Sequence, residues 1–126
     1  MDSKNLICEN ISVSDQGSLF FAGQDTCAFA QKYGTPLYLM DEDRIRNRCR
    51  EYLSAVKQAF GNKAKVLFAS KAASFKRIYE IMNEEGMGID VVSSGEIYTV
   101  LKAAYPLQNA YFHSNNKTDW DIGFAM

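Results

Sequence analysis

Polar and apolar positions divide the chain into a β-like opening and a longer α/β stretch. Over residues 5–23, Ile11 and Val13 alternate with Ser12 and Ser14, Asp15-Gln16-Gly17 supplies a turn, and 18–22 is a second strand candidate. Asp25 can cap a short helix that runs to about Tyr33 and stops at Gly34. Pro36-Leu37-Tyr38-Leu39-Met40 reads as a further strand, with proline tolerated at its first residue. Asp41 is placed to cap a long helix, and Glu42 and Asp43 suit the positive end of its dipole. Ile45, Cys49, Leu53, Val56 and Phe60 recur at helical spacing and mark its buried face, and Gly61-Asn62 ends it. Arg44, Arg46, Arg48 and Arg50 read as a solvated face rather than a phosphate cluster.

From Val66 onward the pattern changes. A short apolar run, 66–70, is followed by a helix from about Ser74 to Glu85 with Ile78, Ile81 and Met82 inward. Gly86 and Gly88 break that helix, and 89–92 is the next strand. Ser93 opens another helix with Ile97, Val100, Leu101 and Ala104 inward, ended by Tyr105-Pro106. A third strand spans 110–113, and Thr118-Asp119-Trp120-Asp121 starts one more helix. The strands recur about every 22 residues as continuous apolar runs, which suits a parallel sheet covered on at least one face. Strand and helix in alternation predict βαβ units. An open doubly wound sheet and the start of a (β/α)8 barrel both fit. A complete barrel takes about 250 residues, so the 126 present read as the N-terminal piece of a larger protein.

Composition narrows the function more than the fold. Nearly half of the residues are hydrophobic, the net charge is −1, and charges of both signs are interspersed. No basic field draws the chain to nucleic acid or to a membrane surface. No apolar run approaches the ~18 residues of a membrane helix, and no apolar segment follows Met1–Asn5 as a signal peptide requires. A cytoplasmic protein is expected. Cys8, Cys27 and Cys49 are odd in number, widely spaced and without partner histidines, so neither a disulfide framework nor a zinc site is expected.

In both candidate architectures the chemistry sits at the C-terminal ends of the parallel strands. Lys71 ends the first strand, Asp90 lies inside the second, and His113, the only histidine, ends the third. A lysine there can simply be solvated. Its functional reading is Schiff-base formation, which needs a neutral amine and therefore an apolar surround. A carboxylate in a strand is costly unless paired, so Asp90 is either bridged to a neighbour or part of a site. Ser93-x-x-Glu96 reads as a capping box that explains both residues without a ligand, as Thr118-x-x-Asp121 does more weakly. His113 can be structural, and Asn115, Asn116 and Lys117 can be turn residues. The chain has no P-loop, no G-x-G-x-x-G and no metal-ligand spacing.

Five blocks, in order, add a resemblance. Tyr33-Gly34-Thr35-Pro36-Leu37-Tyr38, Asp41-Glu42-Asp43-Arg44-Ile45-Arg46, Phe68-Ala69-Ser70-Lys71-Ala72, the run from Gly88 to Tyr98, and the run from Tyr111 to Lys117 resemble the N-terminal part of the diaminopimelate decarboxylases. These are fold-type III enzymes dependent on pyridoxal 5′-phosphate (PLP). The resemblance implies a PLP-binding (β/α)8 barrel over residues 25–126, incomplete here, preceded by strands within residues 1–24 that would join a C-terminal β domain. It implies that Lys71 holds PLP covalently as an internal aldimine, that Asp90 and Ala69 also lie against the cofactor, and that Asp90 and His113 join Lys71 in catalysis. The implied reaction is decarboxylation of meso-2,6-diaminopimelate to L-lysine and CO2, the last step of lysine biosynthesis, by a homodimer with its sites at the interface. The family's phosphate-binding loop, its acid for the pyridine nitrogen and its substrate-binding residues would lie past Met126, so this piece is expected to be inactive alone. Related decarboxylases of arginine, ornithine or carboxynorspermidine stay open, as does a non-catalytic PLP-binding barrel. Ser94 stands where glycine is common in the family.

Overall fold

The computed structural model describes residues 8–126. The β region predicted from residue 5 therefore has its first three positions outside the described residues. The chain forms two compact units, Met1–Arg44 and Ile45–Met126.

In the first unit, β1 (Ile11–Val13), β2 (Leu19–Phe21) and β3 (Gln24–Asp25) form an antiparallel sheet in that order. Ile11 faces Phe21 and Val13 faces Leu19. The Asp15-Gln16-Gly17 turn is closed by Ser14, whose amide donates to the Ser18 carbonyl at 2.9 Å and whose hydroxyl accepts from the Ser18 amide at 3.1 Å. The short β3 is absent from the sequence reading. It follows a two-residue hairpin in which Ala22 and Gly23 both take positive φ, at 50° and 74°, the backbone twist such hairpins favour. Asp25 caps α1 (Thr26–Tyr33) as expected, its carboxylate accepting from the Cys27 amide at 2.8 Å, and Gly34 ends the helix.

The predicted strand at 36–40 does not form. Tyr38 is 94% exposed and Met40 55%, and no strand among the described residues pairs with the segment. A short apolar run becomes a strand only when a neighbouring backbone takes up its amides and carbonyls.

Asp41 caps α2 (Glu42–Phe60) as predicted. One carboxylate oxygen accepts from the Arg44 amide at 3.1 Å, the other from the Asn10 side chain at 2.9 Å. The Asn10 hydrogen bond first, and the Arg44 amide second, hold the Asp41 carboxyl below the usual aspartate range. Cys49 is buried on the inward face of α2, with Ile45 and Leu53 packed beside it. Phe60, predicted inward, is 61% exposed because it ends the helix one turn past Val56.

On the arginine face Arg46 departs from the solvated reading, while Arg44, Arg48 and Arg50 stay 36%, 58% and 61% exposed. Arg46 bridges Glu84 and Glu85, and Arg50 meets Glu85 through two nitrogens at 2.7 and 2.8 Å. The Arg46 side chain is only 17% exposed. These groups clasp α2 to the C-terminal end of α3 (Lys76–Glu84). Arg50 first, then Arg46, holds the Glu85 carboxyl below the glutamate range.

In the second unit, β4 (Leu67–Ala69), β5 (Gly88–Val91) and β6 (Ala110–Phe112) form the predicted parallel sheet in sequence order. α3 links the first pair and α4 (Ser94–Lys102) the second; α5 (Asp119–Ala125) follows β6. Phe68, Ile89, Val91, Ala110 and Phe112 form one face of the sheet. They pack with Ile78, Ile81 and Met82 of α3, with Ile97 and Val100 of α4, and with Cys49 of α2. The other face carries Leu67, Ala69, Gly88, Asp90 and Tyr111, by the two-residue alternation of strands. Leu67 and Tyr111 there are 38% and 42% exposed. Thus α2, α3 and α4 cover one face, and the opposite face is open.

Two inward positions predicted on α4 turn out. Leu101 is 48% exposed, and Ala104 leaves the helix with φ of 52°. Ala103 and Tyr105 take the inward places instead. The Tyr105 hydroxyl donates to the Met87 carbonyl at 2.5 Å, and burial pushes its phenol up to about 12. At the start of β5, Gly88 leaves no room for a side chain: a Cβ would lie 2.4 Å from Leu67 Cδ2 and 3.3 Å from the carbonyl oxygens of Val66 and Asn109. No helix of the described residues is long and apolar enough to cross a membrane.

Candidate active site at the C-terminal ends of the parallel strands

The pairing register sets the floor of the site. Ala69, Asp90 and Tyr111 lie side by side in one row across β4, β5 and β6. Ile89 and Val91, flanking Asp90, are fully buried on the helix-covered face, so alternation sends the Asp90 side chain to the open face. Its Oδ1 is buried and has no hydrogen-bond partner among the described residues. A carboxylate oxygen shut away from water without a donor is costly.

Lys71 follows directly. β4 ends at Ala69, and Ser70–Ala72 form one turn of 3-10 helix with Lys71 at its centre. The turn is closed by the Ala73 amide donating to the Ser70 carbonyl at 3.1 Å. It is pinned on both sides. Before it, the fully buried Ser70 places its hydroxyl 2.7 Å from the Asp90 carbonyl and 2.9 Å from Glu96 Oε2. After it, the Ser74 hydroxyl shares a 2.8 Å hydrogen bond with the hydroxyl of Tyr79, a buried residue of α3. Lys71 itself is exposed. The turn is thus tied to both neighbouring helices while the amine stays open. The apolar surround that the Schiff-base reading asks for is not supplied by the described residues.

Glu96 departs from the sequence reading. Only half of the expected capping box forms: the Ser93 hydroxyl accepts from the Glu96 amide at 3.2 Å. The Glu96 carboxylate, 8% exposed, does not turn back to the Ser93 amide. Its Oε2 accepts from the Val92 amide at 2.5 Å and from Ser70. Capping therefore explains Ser93 but not Glu96. The sequence offered one faint signal: Ser70 is a polar residue at the end of an apolar run, next to the lysine.

His113 follows β6, its amide donating to the Val91 carbonyl at 2.9 Å, so it stands at the same strand mouth. Its ring is exposed. Lys117 folds back, with Nζ 3.2 Å from the Ser114 carbonyl and 5.0 Å from the centre of the Phe112 ring. The structure thus gathers Lys71, Asp90, Ala69 and His113 at one end of the sheet, and adds Ser70, Ser74, Tyr79 and Glu96 behind them.

Residues 42–126 match the family of the pyridoxal-dependent decarboxylases, through its pyridoxal binding domain. Over 114 residues the chain is 43% identical to a diaminopimelate decarboxylase of Bacillus methanolicus, covering 90% of this chain and 26% of that protein. The crystal structure of diaminopimelate decarboxylase from M. jannaschii in co-complex with L-lysine superposes with a TM-score of 0.75 at 33% identity, over 90% of this chain and 27% of that one. A lysine/ornithine decarboxylase from Vibrio vulnificus, complexed with putrescine, gives 0.63 at 28% identity over 78% of this chain and 26% of that one. The chain spans about a quarter of the length of the curated relatives it matches. Its α/β fold resembles the N-terminal domain of diaminopimelate decarboxylase, and the chain belongs to the family of pyridoxal-dependent decarboxylases by way of its pyridoxal binding domain.

Proposed function

We propose that this chain supplies the lysine-bearing part of a PLP-dependent decarboxylase acting on meso-2,6-diaminopimelate, yielding L-lysine and CO2 in lysine biosynthesis. The observation that carries the reading is the buried, unpartnered Asp90 Oδ1 on the open face, beside the turn that presents Lys71. This pair of groups fits the cofactor: an open primary amine is the handle for an aldehyde, and an acceptor without a donor is the partner for a cationic or N–H-bearing ring system. PLP, when bound, supplies the electron sink that lets a carboxylate leave as CO2. Lys71 would hold the cofactor covalently. Asp90 and Ala69 would lie against it on the strand row, and Asp90 would hold positive charge near the reacting carbon. His113, at the third strand end, would close one side.

The sheet with both of its crossover helices, α3 and α4, on one face and strands in sequence order supports the first segment of a (β/α)8 barrel over an open doubly wound sheet, in which helices cover both faces. On this reading the open face bearing Leu67, Asp90 and Tyr111 is the barrel's interior. The closer match to the diaminopimelate enzyme than to the lysine/ornithine enzyme supports the substrate.

The test is a chimera. This chain replaces the matching N-terminal quarter of the Bacillus methanolicus enzyme, and lysine release from diaminopimelate is measured with PLP present. An active chimera that loses activity in Lys71→Ala is expected. A folded chimera that decarboxylates equally well without Lys71 would remove the proposal, and one that prefers ornithine would change the substrate.

A further inference from the structure

We infer that Ser70 and Glu96 are positioning residues for Lys71: a hydroxyl–carboxylate clasp that fixes the turn from which the amine is presented. The inference rests on Lys71 being the residue that bonds the cofactor. Two observations carry it. Ser70, immediately before Lys71, is fully buried and has its hydroxyl within hydrogen-bond reach of two acceptors, the Asp90 carbonyl and Glu96 Oε2. Glu96, from the first turn of α4, is buried and also accepts from the Val92 amide just past the end of β5. The clasp therefore joins three segments: the turn after β4, the end of β5 and the start of α4.

A purely local role does not account for this. The N-cap hydrogen bond of α4 is made by Ser93 and needs no Glu96 side chain. The strand pairing of β4 with β5 ends at Ala69 and Asp90. One residue further, Ser70 extends the attachment by side chain, and it does so through the carbonyl of Asp90 itself. Lys71 and Asp90 are thus coupled through one hydroxyl. A misplacement of about 1 Å at a reacting group can cost on the order of a hundredfold in rate, so a shell that fixes the backbone on both sides of an open amine has a direct use. Ser74 and Tyr79 fix the far side of the same turn.

The test measures where PLP bonds, not turnover. The purified chain is exposed briefly to PLP, the imine is reduced with borohydride, and labelling at Lys71 is compared by peptide mass spectrometry with labelling at Lys57, an exposed lysine of α2. The native chain should label Lys71 in preference. Ser70→Ala and Glu96→Ala should each lower the Lys71 to Lys57 ratio by about tenfold, with Glu96→Gln, which keeps an acceptor, in between. Equal ratios in the native chain and Ser70→Ala, with the far-UV circular dichroism spectrum unchanged, overturn the inference. Should Ser70→Ala lose that spectrum, Glu96→Gln decides by the same criterion. No preference for Lys71 in the native chain also overturns the clasp, whereas the chimera's activity separately decides whether Lys71 is the cofactor's residue.

Discussion

The helices α4 and α5 begin with the same short pattern, a hydroxyl residue followed three positions later by an acid, yet the two acids do different things. At α5 the box closes on itself: Asp121 accepts from the Thr118 amide at 3.1 Å and from its hydroxyl at 2.7 Å, and the Thr118 hydroxyl accepts from the Asp121 amide at 3.2 Å. The partners within the box lie within four residues, and Ser94 at the start of α4 adds one more hydrogen bond to the Asp121 carboxylate. At α4 the acid leaves its own helix and holds a serine 26 positions earlier. The difference is burial. An exposed carboxylate finds its donors locally or in water, whereas a buried one must be matched by whatever donors the tertiary fold brings. A capping motif read from sequence describes the first case and is silent on the second.

Substitutions that separate the two acids test this contrast. Glu96→Ala should have the largest effect, about 2 kcal/mol of lost stability by urea denaturation, because it strands the part-buried Val92 amide and leaves the Ser70 hydroxyl only the Asp90 carbonyl. A cost no greater than that of opening the α5 box would erase the contrast. Ser70→Ala should cost about 1–2 kcal/mol, and less once Glu96 is already alanine. A double-mutant cycle reads that coupling, and strict additivity would mean that the two side chains do not act as one unit. Thr118→Ala should cost about 1 kcal/mol or less, as loss of an exposed cap does, with faster amide exchange confined to α5.

The smallest effect is on titration. The Thr118 hydroxyl first, and its amide second, hold the Asp121 carboxyl below the ordinary aspartate value of 3.8. A lowered folded-state value means that the contribution is fully present above pH 3.8 and fades as pH falls through the lowered value. Carboxyl-carbon NMR should therefore show an Asp121 midpoint below 3.8 that rises in Thr118→Ala. An unmoved midpoint would mean that the box contributes nothing to the charge state.

What could be read in advance follows the same division between local and distant partners. Asp25, Asp41, Ser93 and Thr118 cap their helices because cap and donor are neighbours in sequence. The three parallel strands and the inward Ile78, Ile81 and Met82 follow from periodicity, since one face of each element meets one core. Lys71, Asp90 and His113 could be placed at one mouth because parallel strands align their ends. Leu101 and Phe60 were misread because periodicity does not say where a helix outruns its core. The strand expected at 36–40 needed a partner that no local pattern reveals. Arg46, Glu96 and Ser70 escape a local reading for the same reason: each has a partner 26 or more positions away.

Gly88 gives the open face a slope. Along β5 the side facing the site begins with no side chain at all, hemmed in by Leu67 and two carbonyl oxygens, and two residues later carries the Asp90 carboxylate. The floor is therefore shallow at one end and armed at the other. Even alanine at position 88 must first displace Leu67, which shares its face with Ala69 and Asp90. In a saturation library alanine at position 88 should cost little more than a swing of the half-exposed Leu67 side chain, with larger residues costing more as they press on the carbonyl oxygens of Val66 and Asn109.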